Sequence, residues 1–341
     1  MRFYVLSTLF VLFYSTIHGQ SKLYYFLTAD STKVGVKDEY GKIIIPAEFP
    51  NYGAFEKKEL ITSPTIEFYI DKDRKNTDYD RYNPAMPVGA VYSRDGKFLY
   101  HPQFFDNGPD YWSEGIRRYA ENGKMGLVNF SGTKLTRAEY GFIEIFNYGY
   151  AQAYKGKMVK KFEDGCEHWT VISIDSNVTS CLINANGEVV QPLKEKESSK
   201  DYYFEGNYYL NPFVYSAEES AILAILNPWE MALSLLFELP VYQTKPKILQ
   251  FEITERPNVS CPYYIISAFD DQKREEDYEI LIHKDSKKIF VCSWNSRNEI
   301  TPIRATLLKE IEQGLNREPS YSTSEMIDIA QQELKRLKSQ P

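Results

Sequence analysis

The chain has little of what local catalytic signatures are made from. Its 341 residues hold 4 histidines and 4 cysteines, and no G-x-S-x-G elbow, Walker loop, H-E-x-x-H pair or dinucleotide fingerprint occurs. Positive charge is also short: 40 Lys and Arg stand against 47 Asp and Glu, for a net charge of −7. The basic surface that neutralises phosphates is therefore missing, which excludes nucleic acid as a partner. Long apolar runs are missing too, apart from Phe3 to Tyr14 inside "MRFYVLSTLFVLFYSTIHGQ". A membrane-spanning helix needs about 20 apolar residues, and this run has about a dozen. Arg2 before it and small or polar residues leading to Gly19 after it read as a secretory signal peptide over residues 1–20, with an uncleaved anchor as the other reading. No cysteine follows Gly19 or Gln20, so a lipoprotein signal is excluded. No other stretch reads as long and apolar enough to span a bilayer, and the expected location is secreted, periplasmic or at the cell surface.

The few cysteines constrain the chain further. Cys166, Cys181, Cys261 and Cys292 form an even set behind an export signal, which permits two disulfides. The local pairs are Cys166 with Cys181 and Cys261 with Cys292; the other pairings, or buried free thiols, are the alternatives. "CEH" at 166–168 has no second Cys or His at zinc spacing. Asp71, Asp73, Asp78 and Asp80 offer oxygen ligands without the turn glycine and distal Glu of a calcium loop. No cofactor or metal is expected.

What the sequence does have is aromatic residues, 15% of the chain with 27 Tyr, a composition suited to pleated, half-buried strands. It also has a recurring unit. "VGVKDEYGKIIIPAEF", "VGAVYSRDGKFLYHPQFF", "MGLVNFSGTKLTRAEY" and, partially, "CLINANGEVVQP" begin at Val34, Val88, Met125 and Cys181. Their first glycines are Gly35, Gly89 and Gly126; their turn glycines are Gly41, Gly96, Gly132 and Gly187. Phe49, Phe104 and Tyr140 each lie eight residues past a turn glycine, and Phe55, Trp112 and Phe146 follow. Each unit reads as a β-hairpin whose second glycine supplies φ > 0 in the turn, while the first marks close backbone approach or a bulge. A lone hairpin is marginal in water, so such units bury their aromatic faces on one another in a run.

These segments resemble the WG repeat of exported bacterial proteins, a unit with "D-x-x-G-K", "P-x-x-Y" and "F-x-x-G-x-A" pieces, here "GKMGLVNFSG", "GKIIIPAEF" and "NYGYAQAYKGK". The resemblance covers roughly residues 31–192. The namesake Trp is replaced by Val34, Val88 and Met125, and the fourth copy carries Cys181 in the glycine's place. Gly35 to Gly89 spans 54 residues against 37 for Gly89 to Gly126, so Tyr69 to Pro87 reads as an inserted, solvated loop.

After Leu193 to Asp201 the period turns helical. Ser216 with Glu219 forms a capping box, Asn227 and Pro228 start "PWEMALSLLFEL", and Thr301 and Pro302 start "PIRATLLKEIEQ" ending at Gly314. "SEMIDIAQQELKRLK" has Met326, Ile329, Leu334 and Leu337 on one stripe, which packs on the chain's own core or, in the minority reading, on a partner helix. Strands are expected from Ile248, Tyr263, Tyr278 and Lys288, and the alternation of Leu249, Phe251 and Ile253 marks one wet face. The expected fold class is therefore a mainly β N-terminal region of stacked β-hairpin repeats over residues 21–192, followed by an α+β domain over 202–341 with helices packed on an antiparallel sheet.

No catalytic residue stands out. Asp270, Asp271, Glu275, Glu276 and Asp277 read as a solvated loop, although the two carboxylates of a glycosidase need only meet in space. In the loop Phe105 to Lys124, Tyr111 and Trp112 could stack on a sugar or grip a peptide, with burial the leading reading for Trp112. The expectation is an exported, non-enzymatic module binding a protein or glycan. The alternative is a cell-envelope hydrolase acting on glycans.

Overall fold

The computed structural model describes residues 21–73, 80–105, 108–163, 165, 168–238, 247–259, 261–275, 278–293, 299–316 and 324–339. The chain is mostly β, built from many small antiparallel sheets, with its helices in the C-terminal part.

Four turns share one construction. Asp38, Ser93, Asn129 and Asn184 each accept a backbone bond from the glycine three residues on, at Gly41, Gly96, Gly132 and Gly187, and donate to the carbonyl four residues on. The glycines have φ between +77° and +89°, where a Cβ is strained. The first residue's side chain completes each turn. Asp38 Oδ1 accepts from the N–H of Tyr40 and Lys42 at 3.0 and 2.8 Å, and Asn184 Oδ1 accepts from Asn186 and Glu188 at 3.0 Å each. Ser93 and Asn129 accept from Lys97 and Thr133 in the same way.

The first glycines are crowded, each by a different neighbour. A Cβ on Gly35 would lie 2.6 Å from backbone atoms of Ala47 and Ile45, where the pairing of Lys33–Asp38 with Ile43–Pro50 shifts register. On Gly89 it would meet the carbonyl of Phe68, and on Gly126 the ring of Tyr119, which faces it across the hairpin. In the fourth unit Cys181 stands opposite Ala153, whose methyl leaves room for a side chain. That explains why a glycine is not needed there.

Phe49 and Tyr140 occupy matching places, paired with Val34 and Met125 and almost fully buried. Phe104 does not. Gly89 and Gly96 are seven residues apart, against six in the first and third units. The pairing of the second unit is displaced: Val88 stands opposite Pro102, so Phe104 lies two residues beyond the place that Phe49 and Tyr140 take. Pro102 and Gln103 are buried there, and Phe104 is half-buried. Phe55, Trp112 and Phe146 are all buried. The insertion after Tyr69 ends in Ala85 and Met86, both buried, so it is anchored and not wholly a solvated loop. A second insertion was not anticipated. Tyr150–Lys155 pairs with Thr179–Asn184 in the register of Ile116–Glu121 with Lys124–Asn129, and a hairpin of Met158–Phe162 and Trp169–Ser173 is spliced between them.

The C-terminal sheet runs Gln250–Glu255, Tyr263–Asp270, Tyr278–His283, Ile289–Ser293, Ile300–Pro302, with Lys273–Arg274 at its side. Helix α1 (Ala217–Ala224) carries the Ser216–Glu219 capping box. Its backbone stays in the helical region past Ala224 through Ile225 and Leu226, and a 3-10 turn over Asn227–Trp229, which no side chain caps, passes straight into α2 (Glu230–Glu238). The run Ala217–Phe237 is thus apolar and long enough, by length and composition alone, to cross a membrane, contrary to the sequence reading. Its Ile222, Leu226, Leu233 and Leu236 are buried against the sheet, as in a core helix. Helix α3 (Ile303–Asn316) continues past Gly314, and α4 (Ser324–Ser339) buries Met326 and Leu337 in the same core.

The expected wet face of this sheet is absent. Ile253, Ile266, Ile280, Ile282 and Val291 face the helices, while Ile265, Leu281 and Cys292 share a core with Tyr100, Trp112, Tyr119 and Phe130 of the hairpins. The segment after Leu193 does change from hairpin to helix, yet the parts on either side of it are joined by a common core.

Replacing Gly41 by Ala, where no atom lies within 4 Å and only φ is strained, should cost about 1 kcal/mol in urea unfolding. Gly89→Ala adds a backbone collision and should cost about 3 kcal/mol or more. Equal losses would refute the role assigned to the first glycine.

Candidate functional site

The departures from the regular unit converge. The displaced register of the second unit leaves Phe104 and Phe105 half-buried, the spliced hairpin adds half-buried Phe162 and Trp169 with Lys160 buried among the rings, and the first insertion brings the exposed Arg81 and Tyr82. Lys160 N–H donates to the carbonyl of Tyr82 at 2.8 Å, tying the two insertions together. Phe105 meets Tyr111 and Trp169 edge-on, with centroids 5.5 and 5.9 Å away. Lys160 Nζ lies 4.2 Å from the Trp169 centroid and 5.7 Å from that of Phe104. Arg81 lies 4.0 Å over Phe162, which Tyr82 meets edge-on. The result is a ledge of half-buried rings interleaved with cations, held by segments far apart in sequence. Rings on such a ledge offer apolar faces to a ligand, and cations above them are attracted by the ring quadrupole.

Beneath the ledge two ion pairs are buried. Arg117 and Arg118 are neighbours on one strand and so point to opposite faces. Arg117 makes two bonds to Glu67, at 2.9 and 2.8 Å, and one to the Asp110 carbonyl. Arg118 is bidentate with Asp110, donates to the Ile143 carbonyl at 2.8 Å, and lies 4.9 Å over Phe105. Both guanidiniums are buried because both faces of the strand are covered. Sequence reading passed over them; the signal was two consecutive Arg in a strand pattern, of which a half-buried strand can wet only one.

A second cluster lies at the joint between hairpins and sheet. Ser113–Ile116 is a tight turn with Glu114 and Gly115 at φ +56° and +72°, and its tip rests on the sheet. Glu114 N–H donates to Glu279 Oε1 at 2.8 Å, and Glu114 Oε2 accepts from Gly149 N–H at 2.6 Å. Ser267 Oγ donates to Glu279 Oε2 at 2.7 Å, and Arg274 Nη1 lies 3.8 Å from Glu279 Oε1. Glu255 accepts from Phe130 N–H at 3.0 Å beside Gly115. Burial raises all three carboxyls, Glu114 to about 8 and Glu255 to about 7, with Glu279 raised in the same direction.

The residues singled out from sequence are scattered. Trp112 is buried against Phe130, whereas Tyr111 joins the ledge. Asp270 and Glu275 both hold Lys247, at 3.3 and 2.8 Å; Glu276 and Asp277 lie outside the described residues. Cys181, Cys261 and Cys292 are free thiols, the last two buried in one core, and Cys166 lies outside the described residues. Burial pushes the Cys261 thiol up to about 12. Asp78 also lies outside the described residues, and Asp71 sits 3.5 Å from His101 Nδ1. Among the described residues no group of three or more His, Cys, Asp or Glu is placed to hold a metal ion. Comparison with known proteins returns no family model, no curated protein and no solved structure that matches.

Glu67→Gln leaves the buried Arg117 charge without its carboxylate and should cost about 3 to 5 kcal/mol in chemical unfolding. The double variant Glu67→Gln with Arg117→Met should regain most of that loss. Failure to recover would assign the cost to packing and not to charge.

Proposed function

We propose that the chain is an exported, non-enzymatic binding module, in which a WG-like run of β-hairpins presents the ledge of Phe105, Tyr111 and Trp169 to a protein or glycan partner outside the cell or in the periplasm. The observation that carries this reading is the convergence of three irregularities on one patch of half-buried rings, while the four turns keep a common geometry. A hairpin array tolerates such changes because its loops vary without disturbing the buried seam. The signal-like residues 1–20 and the glycine pattern support the export and repeat parts of the reading.

A glycan hydrolase fits less well. Its two carboxyls must flank a substrate bond about 5 to 9 Å apart in an open cleft. Glu114 and Glu279 are 1% and 4% exposed and are bound to one another's turn and strand. The surface pair Asp270 and Glu275 is occupied by a lysine.

Pull-down from an envelope extract with the chain lacking residues 1–20 should recover a complex that Trp169→Ala weakens at least tenfold, with the thermal midpoint little changed. Turnover of an envelope glycan, lost on replacing a carboxylate, would overturn the reading in favour of the hydrolase. Unchanged capture by Trp169→Ala and Tyr111→Ala would remove the ledge from it.

A further inference from the structure

The joint between the hairpins and the sheet contains more acid than it can hold ionised. Glu114, Glu255 and Glu279 come together from a turn and two strands, and the cation nearest Glu279 is Arg274, at 3.8 Å. Glu114 Oε1 has no hydrogen-bond partner among the described residues, although its residue is 1% exposed. An ionised oxygen in that position would be enclosed and unsolvated, a cost that protonation removes. The backbone there is also committed. Glu114 holds a left-handed φ of +56°, and Gly115 next to it one of +72°, with Glu255 packed closely enough that a Cβ there would lie 3.2 Å from Glu255 Oε2.

The groups facing this point come from every element around it. From the sheet they are Glu279, Arg274 and Glu255, with Glu252 engaged by Lys200 and by the Tyr215 hydroxyl. Tyr202, whose hydroxyl accepts from Asn147, and Tyr148 stand on the hairpin side, and the thiols of Cys261 and Cys292 lie in the adjoining core. Burial holds the tyrosines and thiols above their ordinary values, so they stay neutral near neutral pH and add no further negative charge.

We propose that Glu114, Glu255 and Glu279 form a proton-operated latch: with protons shared among them the turn Ser113–Ile116 stays seated on the C-terminal sheet, and loss of those protons frees it. This goes beyond the binding reading and does not depend on what the ledge contacts. A carboxyl whose folded value is raised above its ordinary 4.5 contributes its full stability below about 4.5 and has lost it once pH passes the folded value. The window is therefore about pH 5 to 8, with the latch closed on the acid side and opening on the alkaline side.

The test uses the chain without residues 1–20. Its folded-to-unfolded ratio should fall by about tenfold per pH unit for each extra proton the folded chain holds. The fall is therefore up to about a hundredfold per unit between pH 5 and 7, where Glu114 and Glu255 both hold one, and up to about tenfold from pH 7 to 8. Glu114→Gln, which is neutral at every pH, should remove one proton's share of that slope up to about pH 8, and Glu255→Gln one share up to about pH 7. Hydrogen exchange on the unsubstituted chain gives a second readout. The amides of Gly149 and Phe130, which donate to Glu114 and Glu255, should lose protection across this window relative to the amides of α2. Equal slopes in the parent chain and both variants, or flat protection at Gly149 and Phe130, would overturn the latch.

Discussion

A sheet covered on both faces has no solvent to satisfy its polar side chains, and this constraint organises the molecule. Ser267 and Glu279 point from adjacent strands into the hairpin layer, at 1% and 4% exposed, so they must find partners there. They bond to one another, and Glu279 also takes the backbone of the Ser113–Ile116 turn. The equivalent turn in the next unit does the same work at a neighbouring point: Asn147 accepts from the Arg274 N–H at 2.8 Å and donates to the Gln272 carbonyl at 2.8 Å. Further along the sheet, Ile300 N–H donates to Thr62 Oγ1 at 2.9 Å, and Phe130 N–H donates to Glu255. Apolar contact supplies the driving force across this interface, and these directional bonds set its register, because a shifted sheet would leave each of them buried and unmade.

The same economy explains the turns. A glycine alone permits a left-handed residue but does not choose where the turn falls. Asp38, Ser93, Asn129 and Asn184 do choose, because each side-chain oxygen captures amides two or four residues on that the turn would otherwise leave free. The glycine and the capturing residue are three apart in every case, so the pair acts as one device repeated four times.

Much of this was legible from residues alone. The turn glycines, the burial of Phe55, Trp112 and Phe146, the capping box at Ser216 and the antiparallel strands near Tyr263 and Tyr278 all follow from local spacing, which one sequence displays. What was not legible depends on what covers an element from a distance. The alternation at Phe251 and Ile253 looks the same whether the polar face meets water or another layer, so the sandwiching of the sheet was hidden. The displacement of Phe104 was hidden for a different reason: counting eight residues from a turn glycine gives three matches, while the strand register, which sets Pro102 opposite Val88, decides which residue takes the ring's place. The ledge and the acid cluster are both assembled from segments far apart in the chain, as the bond from Glu114 to Glu279 illustrates.

Irregularity and regularity then have separate roles within one architecture. The glycines that keep the pattern do so for local reasons: a Cβ would strike backbone at Gly35 and Gly89 and the Tyr119 ring at Gly126, and the turn glycines hold a left-handed φ. The departures from it change the half-buried patch: the register of the second unit sets Phe104 two residues beyond the matching place, and a spliced hairpin sets Trp169 against Phe105. Cys181 shows the boundary between the two regimes. Its strand keeps the pairing of the regular unit, but opposite it stands Ala153 in place of a ring, and with the ring gone the requirement for glycine goes too. At this position the need for glycine is set by what stands opposite it: a ring at Gly126 and a methyl at Cys181.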